Sequence, residues 1–323
     1  MYSVTISNGT LSATILSFGA RLSDLRLEGH PHSLVLGLPA AQDHLDDNAH
    51  LGGIAGPVAN RIAGAAAPLK GKSFKFEANE HDMQTLHGGY FGTSRQFWQL
   101  NKVNQTTVHA TIEQPDMALG FPGNRIFSVL YKILDNRLMI HLSAQTDIQS
   151  WCNLAPHPYF NLDGSQTIRH HNLQLEAAHY LPVDDQNIPT GEIALVEDSH
   201  FDFRKMRSLS DFVDGALPAI DHNYCLDQDM QKLRPHIAHL QSEMSGIEMR
   251  VSTDQLGMQL YFGQFLAPNT AGQDGKTHGP FSGICLEPQG WPDAPNRPDF
   301  PSVEISPDQP YLSVSSFSFF QNS

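Results

Sequence analysis

The chain has 323 residues, 40% of them hydrophobic, and a formal net charge of −14. That length can bury a substantial core, and all-β sandwiches and barrels often run this long as one unit. The acidic balance argues against a nucleic-acid backbone or an anionic membrane as partner, because both need a basic footprint.

Period-two alternation of apolar and polar residues begins early. Residues 10–16 and 21–27 alternate, with Asn8-Gly9 and Gly19 as turn punctuation, and read as half-buried strands. Residues 97–103, 106–112, 125–134 and 137–143 repeat the pattern, the last two joined at Asp135-Asn136 as a tight hairpin. Further strands are expected at residues 173–176, 222–226, 246–252, 258–262, 282–287 and 311–319. Helical signals are confined to residues 40–47 and 209–213, enough for a turn or two each. Many strands without βα alternation predict an all-β fold, a large antiparallel sandwich. No linker, fixed-period repeat or low-complexity tract divides the chain, so residues 1–323 are expected to form a single domain.

The three cysteines, Cys152, Cys225 and Cys285, lack any C-x-x-C spacing and lie in apolar segments, the pattern of buried free thiols in a reducing compartment. The N-terminus shows neither the basic nor the apolar region of a secretory signal. The longest nearly apolar stretch, residues 51–69, carries Pro57 and Asn60-Arg61 at its centre, which hydrocarbon would penalise. A cytoplasmic protein is therefore expected, and nothing in the sequence speaks to oligomeric state.

Chemistry-bearing residues concentrate in a few places. An apolar run ending at Leu286 delivers a carboxylate, Glu287, and is followed by a loop rich in proline that includes Trp291. A strand end is a rigid place to hold a side chain, although Glu287 could equally be a rim carboxylate paired with Arg297. The 17 histidines contain no H-E-x-x-H, and the pairs His30/His32, His170/His171 and His236/His239 lack further ligands at metal-binding spacing, so no metal site is expected. Two histidines have unusual neighbours. His87 precedes Gly88-Gly89, where a ligand can approach the backbone closely, and His157 sits between Pro156 and Pro158, a frame that aims an imidazole. Asn60-Arg61 interrupts a run of small residues, Asp221 opens a strand, and Gln259 is a polar residue on a strand expected to be half apolar. Each of these also has an ordinary structural explanation as an edge, cap or solvent-side residue.

Taken in order, these segments resemble the aldose 1-epimerase (galactose mutarotase) family along nearly the whole chain. The matching blocks are Ala59-Asn60-Arg61-Ile62, Leu86-His87-Gly88-Gly89, His157-Pro158-Tyr159-Phe160-Asn161-Leu162, and Tyr180-Leu181-Pro182-Val183-Asp184 leading to Ile188-Pro189-Thr190-Gly191-Glu192. They continue with Asp221-His222-Asn223, Gly257-Met258-Gln259-Leu260-Tyr261, and Cys285-Leu286-Glu287-Pro288-Gln289 followed by Pro292-Asp293-Ala294-Pro295-Asn296. The resemblance implies a β-supersandwich with an open cleft that interconverts the α and β anomers of a free sugar without a cofactor. It implies Glu287 as base and His157 as acid, with Asn60, Arg61, His87, Asp221 and Gln259 binding the sugar. Trp291 and Phe160 are candidate apolar walls for a sugar face, with core packing the alternative. Departures from the family pattern are Gly56-Pro57-Val58, where a second arginine and an aromatic are usual, and Pro156, Pro158 and Pro288 around the two proton-transfer groups. They bear on which sugar fits. A sugar-phosphate epimerase relative and a non-catalytic carbohydrate-binding module are the alternatives; the first calls for a basic cluster at the cleft, and the second has no need of a paired acid and base.

Overall fold

The structure, a computed structural model, describes residues 1–226 and 233–321. It is built from antiparallel strands, and among the described residues the one α-helix is the single turn Ser210–Val213. Nine strands form the largest sheet, in the order Arg207–Ser208, His171–Leu175, Arg234–Ser242, Ile247–Thr253, Tyr311–Gln321, Arg137–Thr146, Arg125–Leu134, Thr107–Gln114 and Gln99–Asn104. A second sheet of six runs Tyr159–Phe160, Ile284–Gln289, Gly257–Tyr261, Asp221–Cys225, His179–Tyr180 and Ala194–Leu195. Ser3–Ser7, Leu11–Leu16 and Arg21–Leu27 make a third. The expected all-β sandwich with few short helices is the fold observed, and the Asp135-Asn136 turn joins two strands in register from Leu134↔Arg137 to Arg125↔Thr146.

One apolar cluster draws on all three sheets. Ile6, Leu11 and Ile15 enter it from the first strands, Val129, Ile140 and Phe317 from the largest sheet, and Phe160, Met258, Leu260, Ile284 and Leu286 from the six-stranded sheet. The last five residues define which face of the smaller sheet is inside. Side chains alternate along a strand, so burying Ile284 and Leu286 turns Cys285 and Glu287 to the opposite face. Burying Met258 and Leu260 does the same for Gln259 and Tyr261, and burying Phe160 for Tyr159.

Of the strands with five or more residues, two were not legible in the sequence. In Ser3–Ser7 only Ile6 is fully buried and Val4 is half-buried against the core, two apolar positions that are too few to set a pattern. Arg234–Ser242 has a register shift between Arg234 and Ala238 that puts the neighbours Ile237 and Ala238 both in the interior, which breaks the alternation. A third difference concerns the site. The strand expected at residues 282–287 instead runs Ile284–Gln289, on through Pro288. Its neighbour Tyr159–Phe160 pairs only with Ile284 and Cys285, so Pro288 lies beyond that pairing and its missing N–H leaves no ladder bond broken on that side.

Phe160 is fully buried, with ring centroids 5.2 Å from Phe317 and 6.4 Å from Phe319, so it is a core residue and not a cleft wall. Trp291 is likewise interior: it packs against Phe300 at 5.0 Å and its indole N–H donates to the Leu256 carbonyl at 2.9 Å. Phe160→Ala is accordingly expected to cost about 3–5 kcal/mol of stability, measured by urea denaturation; a loss below 1 kcal/mol would contradict the core assignment.

Candidate active site

Four strands of the smaller sheet lay the site out in two transverse rows. Tyr159, Cys285, Tyr261 and Asp221 are successive partners in one row, and Glu287, Gln259 and Asn223 in the next. His157 joins this face from the segment just before Tyr159. Its backbone N–H donates to the Gly53 carbonyl and its carbonyl accepts from the Gly52 N–H, both at 2.9 Å. Asn60, Arg61 and His87 arrive from a separate two-stranded ribbon, Arg61–Ile62 against Thr85–Leu86. All seven residues singled out in the sequence, Asn60, Arg61, His87, His157, Asp221, Gln259 and Glu287, line one cleft of ≈220 Å³. That is smaller than the roughly 300–1,000 Å³ pockets of drug-sized ligands.

Glu287 and His157 face each other at the bottom, with Oε1 3.6 Å from Nε2 and residue exposures of only 2% and 5%. The alternative partner, Arg297, is elsewhere; it pairs with Asp293 at 3.2 Å. Burial pushes the Glu287 carboxyl well above the usual carboxylate range, nearby Asp221 adds to this, and Arg61 opposes it. Burial lowers His157 to about 4. Both groups are thus driven toward their neutral forms.

The rest of the cleft is organised hydrogen bonding. The Asn60 backbone N–H donates to His87 Nδ1 at 3.2 Å, so the neutral His87 presents Nε2–H as a donor. Burial, with His50 and His157 nearby, keeps that imidazole uncharged by lowering its pKa well below the ordinary value. Asn60 sits at φ 61° and His87 at φ 51°, left-handed conformations uncommon outside glycine, and the two segments hold each other through the His87 N–H to Asn60 carbonyl bond of 3.0 Å. Gly88 follows at φ 82°, where an added Cβ would lie 2.3 Å from the Gly56 carbonyl, so the glycine is required by both conformation and space. Gln259 donates to Asp221 Oδ1 at 2.6 Å, and its buried Oε1 has no partner among the described residues, an acceptor open to a ligand hydroxyl.

Several contributors escaped sequence reading. Glu80 grips Arg61 in a two-pronged ion pair, 2.7 Å to Nε and 2.9 Å to Nη2, and is itself held by Gln84. Burial raises the Glu80 pKa, but the Arg61 hydrogen bond and charge outweigh it and the net shift is downward. His50, also on a left-handed backbone at φ 55°, bonds Ser94 Oγ through Nδ1 at 2.8 Å and lies beside His87, ring centroids 4.9 Å apart and tilted by 58°. Tyr159, Tyr261 and the 76% exposed Phe265 supply the aromatic wall that had been sought in Phe160 and Trp291. The parity signal was present: Tyr159, not Phe160, is two residues from His157. Glu80 and His50 carried none, since neither has a distinctive frame in the sequence.

Among the described residues one set could close around a metal ion, His157, Cys285 and Glu287, whose donor atoms lie within 4.8 Å of one another. The thiol and the carboxyl, both held protonated by burial, would have to lose their protons to serve as ligands. No helix among the described residues is long and apolar enough to cross a membrane.

The profile of the aldose 1-epimerase family matches residues 2–318. The chain is similar to human galactose mutarotase, with 34% identity over 97% of this chain and 92% of that protein. It is also similar to Escherichia coli aldose 1-epimerase, at 31% identity over 97% and 93%. A crystal structure of an aldose epimerase homologue from C. elegans superposes with a TM-score of 0.92 at 30% identity, covering 100% of this chain and 99% of that one. With the profile spanning nearly the full length and relatives above 30% identity over almost the whole chain, the protein belongs to the aldose 1-epimerase family.

Proposed function

We propose that the protein interconverts the α and β anomers of a free aldose in the cytoplasm, with Glu287 as base and His157 as acid. Ring opening removes the proton from the C1 hydroxyl while the ring oxygen gains one; rotation about C1–C2 and reclosure give the other anomer. As the C1 hydroxyl becomes a carbonyl the bond from C1 to the ring oxygen breaks, and the only help this needs is the two proton transfers, so one acceptor and one donor suffice, each contributing about 10²- to 10⁴-fold. No redox carrier or metal is called for.

The observation that carries this reading is the buried Glu287–His157 pair at 3.6 Å. The two groups share one proton at neutral pH. It rests on the carboxyl or, moved across that gap, on the imidazole, and in either arrangement the pair holds one donor and one acceptor. The arrangement with Glu287 ionised and His157 charged starts ring opening. Asn60, Arg61, His87, Asp221 and Gln259 hold the sugar's hydroxyls and ring oxygen, with the His87 donor and the unpartnered Gln259 Oε1 supporting that role. The activities for which the relatives are named, galactose mutarotase and aldose 1-epimerase, agree.

A phosphorylated sugar fits less well. Arg61 is the one arginine or lysine lining the cleft among the described residues, and Glu80 already neutralises it, while Asp221 and Glu287 add acidic groups. A purely binding module gives no reason to bury an unpaired acid against an imidazole at a cost in solvation.

Glu287→Gln and His157→Gln are each expected to slow anomer exchange of glucose or galactose by at least 10²-fold in polarimetry; near wild-type rates in either would overturn the assignment. Below the His157 value of about 4 the pair gains a second proton and loses its acceptor. The rate should therefore fall as pH drops through about 4, not through the 6.5 of an ordinary histidine, and its alkaline limit should lie above the normal carboxylate range; an acid limb centred at 6.5 would contradict the shared-proton account. Glu80→Gln should loosen Arg61 and raise KM several-fold with a smaller change in kcat, whereas an unchanged KM would remove Arg61 from sugar binding.

A further inference from the structure

The strand Ile284–Gln289 addresses both nitrogens of His157. Glu287 lies 3.6 Å from Nε2, and Cys285, two residues earlier and therefore on the same face, places Sγ 3.5 Å from Nδ1. The proposed reaction restricts what Nδ1 can do. Nε2 must be bare in one half of the cycle and protonated in the other. An imidazole does this without becoming an anion only if Nδ1 keeps its hydrogen throughout. Nδ1–H then needs an acceptor, and the side chain within reach is the Cys285 sulfur, a weak acceptor that stays a thiol because burial, with Glu287 and Asp221 nearby, opposes ionisation.

The ring has few other freedoms. Its backbone is tied on both sides to Gly52 and Gly53, and the Tyr159 ring lies 5.1 Å from it at 32°, with the Tyr159 hydroxyl fixed on the Ala49 carbonyl at 2.9 Å. What these contacts leave open is which nitrogen carries the hydrogen, and the partner of the second nitrogen decides that. We propose that Cys285 is a positioning residue whose Sγ accepts the Nδ1–H of His157, holding the tautomer that presents Nε2 to the sugar and to Glu287. This rests on His157 being the proton-transfer imidazole.

The direct test is ¹⁵N NMR of the histidine-labelled wild-type enzyme at neutral pH, with His157→Gln used to identify the His157 signals. The expected result is a protonated Nδ1 and a bare Nε2; the reverse tautomer would overturn the inference. In anomer-exchange kinetics Cys285→Ala is expected to lower kcat about tenfold, the low end of what losing the partner behind a functional histidine costs, with KM little changed. Cys285→Ser, whose hydroxyl can also accept, should recover most of that loss. A Cys285→Ala enzyme with full kcat, or a serine variant no better than alanine, would also overturn it. Should the alanine variant fail to fold, the wild-type spectrum and the serine variant still decide. Full activity in His157→Gln would instead defeat the reading of His157 itself, a separate outcome from the wrong tautomer.

Discussion

A carboxyl and an imidazole from distant parts of the chain meet 3.6 Å apart with almost no access to water, and most of the local architecture serves to keep them there. Burial penalises charge on both, so each is driven toward its neutral form instead of the two separating into a solvated ion pair. The enclosing structure is a sheet whose opposite face is anchored in the main core by Phe160, Met258, Leu260, Ile284 and Leu286. Alternation along each strand then dictates that Tyr159, Cys285, Glu287, Gln259 and Tyr261 share the cleft side. Packing on one face thus fixes chemistry on the other, and a one-residue slip in any strand would exchange the two sets.

Charge is handled sparingly in the cleft. Arg61 is pinned by Glu80, and His50 and His87 are kept neutral by burial with His157 close to both, His50 at about 3. Neutral donors and acceptors suit an uncharged ligand rich in hydroxyls, because each polar group lost to water is replaced by a hydrogen bond and no unpaired charge is left buried. The left-handed backbones at His50, Asn60 and His87 cluster here, the kind of local strain that a rigid surrounding sheet can hold in place.

Much of this was legible in the sequence. The expected bounds of residues 125–134 and 21–27 are those observed; the first has one buried face over its whole length, and the second is buried on both faces from Arg21 to Ser23 and alternates after that. Residues drawn from scattered blocks, Asn60-Arg61, His87, His157, Asp221, Gln259 and Glu287, converge on one cleft. What stayed hidden was set by three-dimensional neighbours. Pro288 argued for a strand ending at Glu287, yet the adjacent strand is too short to reach the proline and the strand continues. Phe160 and Trp291 looked like sugar-facing aromatics because size and hydrophobicity do not report parity or depth. Glu80 matters only through Arg61, and His50 only through its approach to His87 and His157, contacts that no local pattern encodes.

The central claim is that Glu287 and His157 act as one proton-transfer unit. A double-mutant cycle in anomer-exchange NMR tests it most directly, comparing Glu287→Gln, His157→Gln and the combined variant with the wild type. Groups that work as a unit are non-additive, so the combined variant should be about as slow as the slower single variant. Losses that multiply, each residue contributing regardless of the other, would contradict the account.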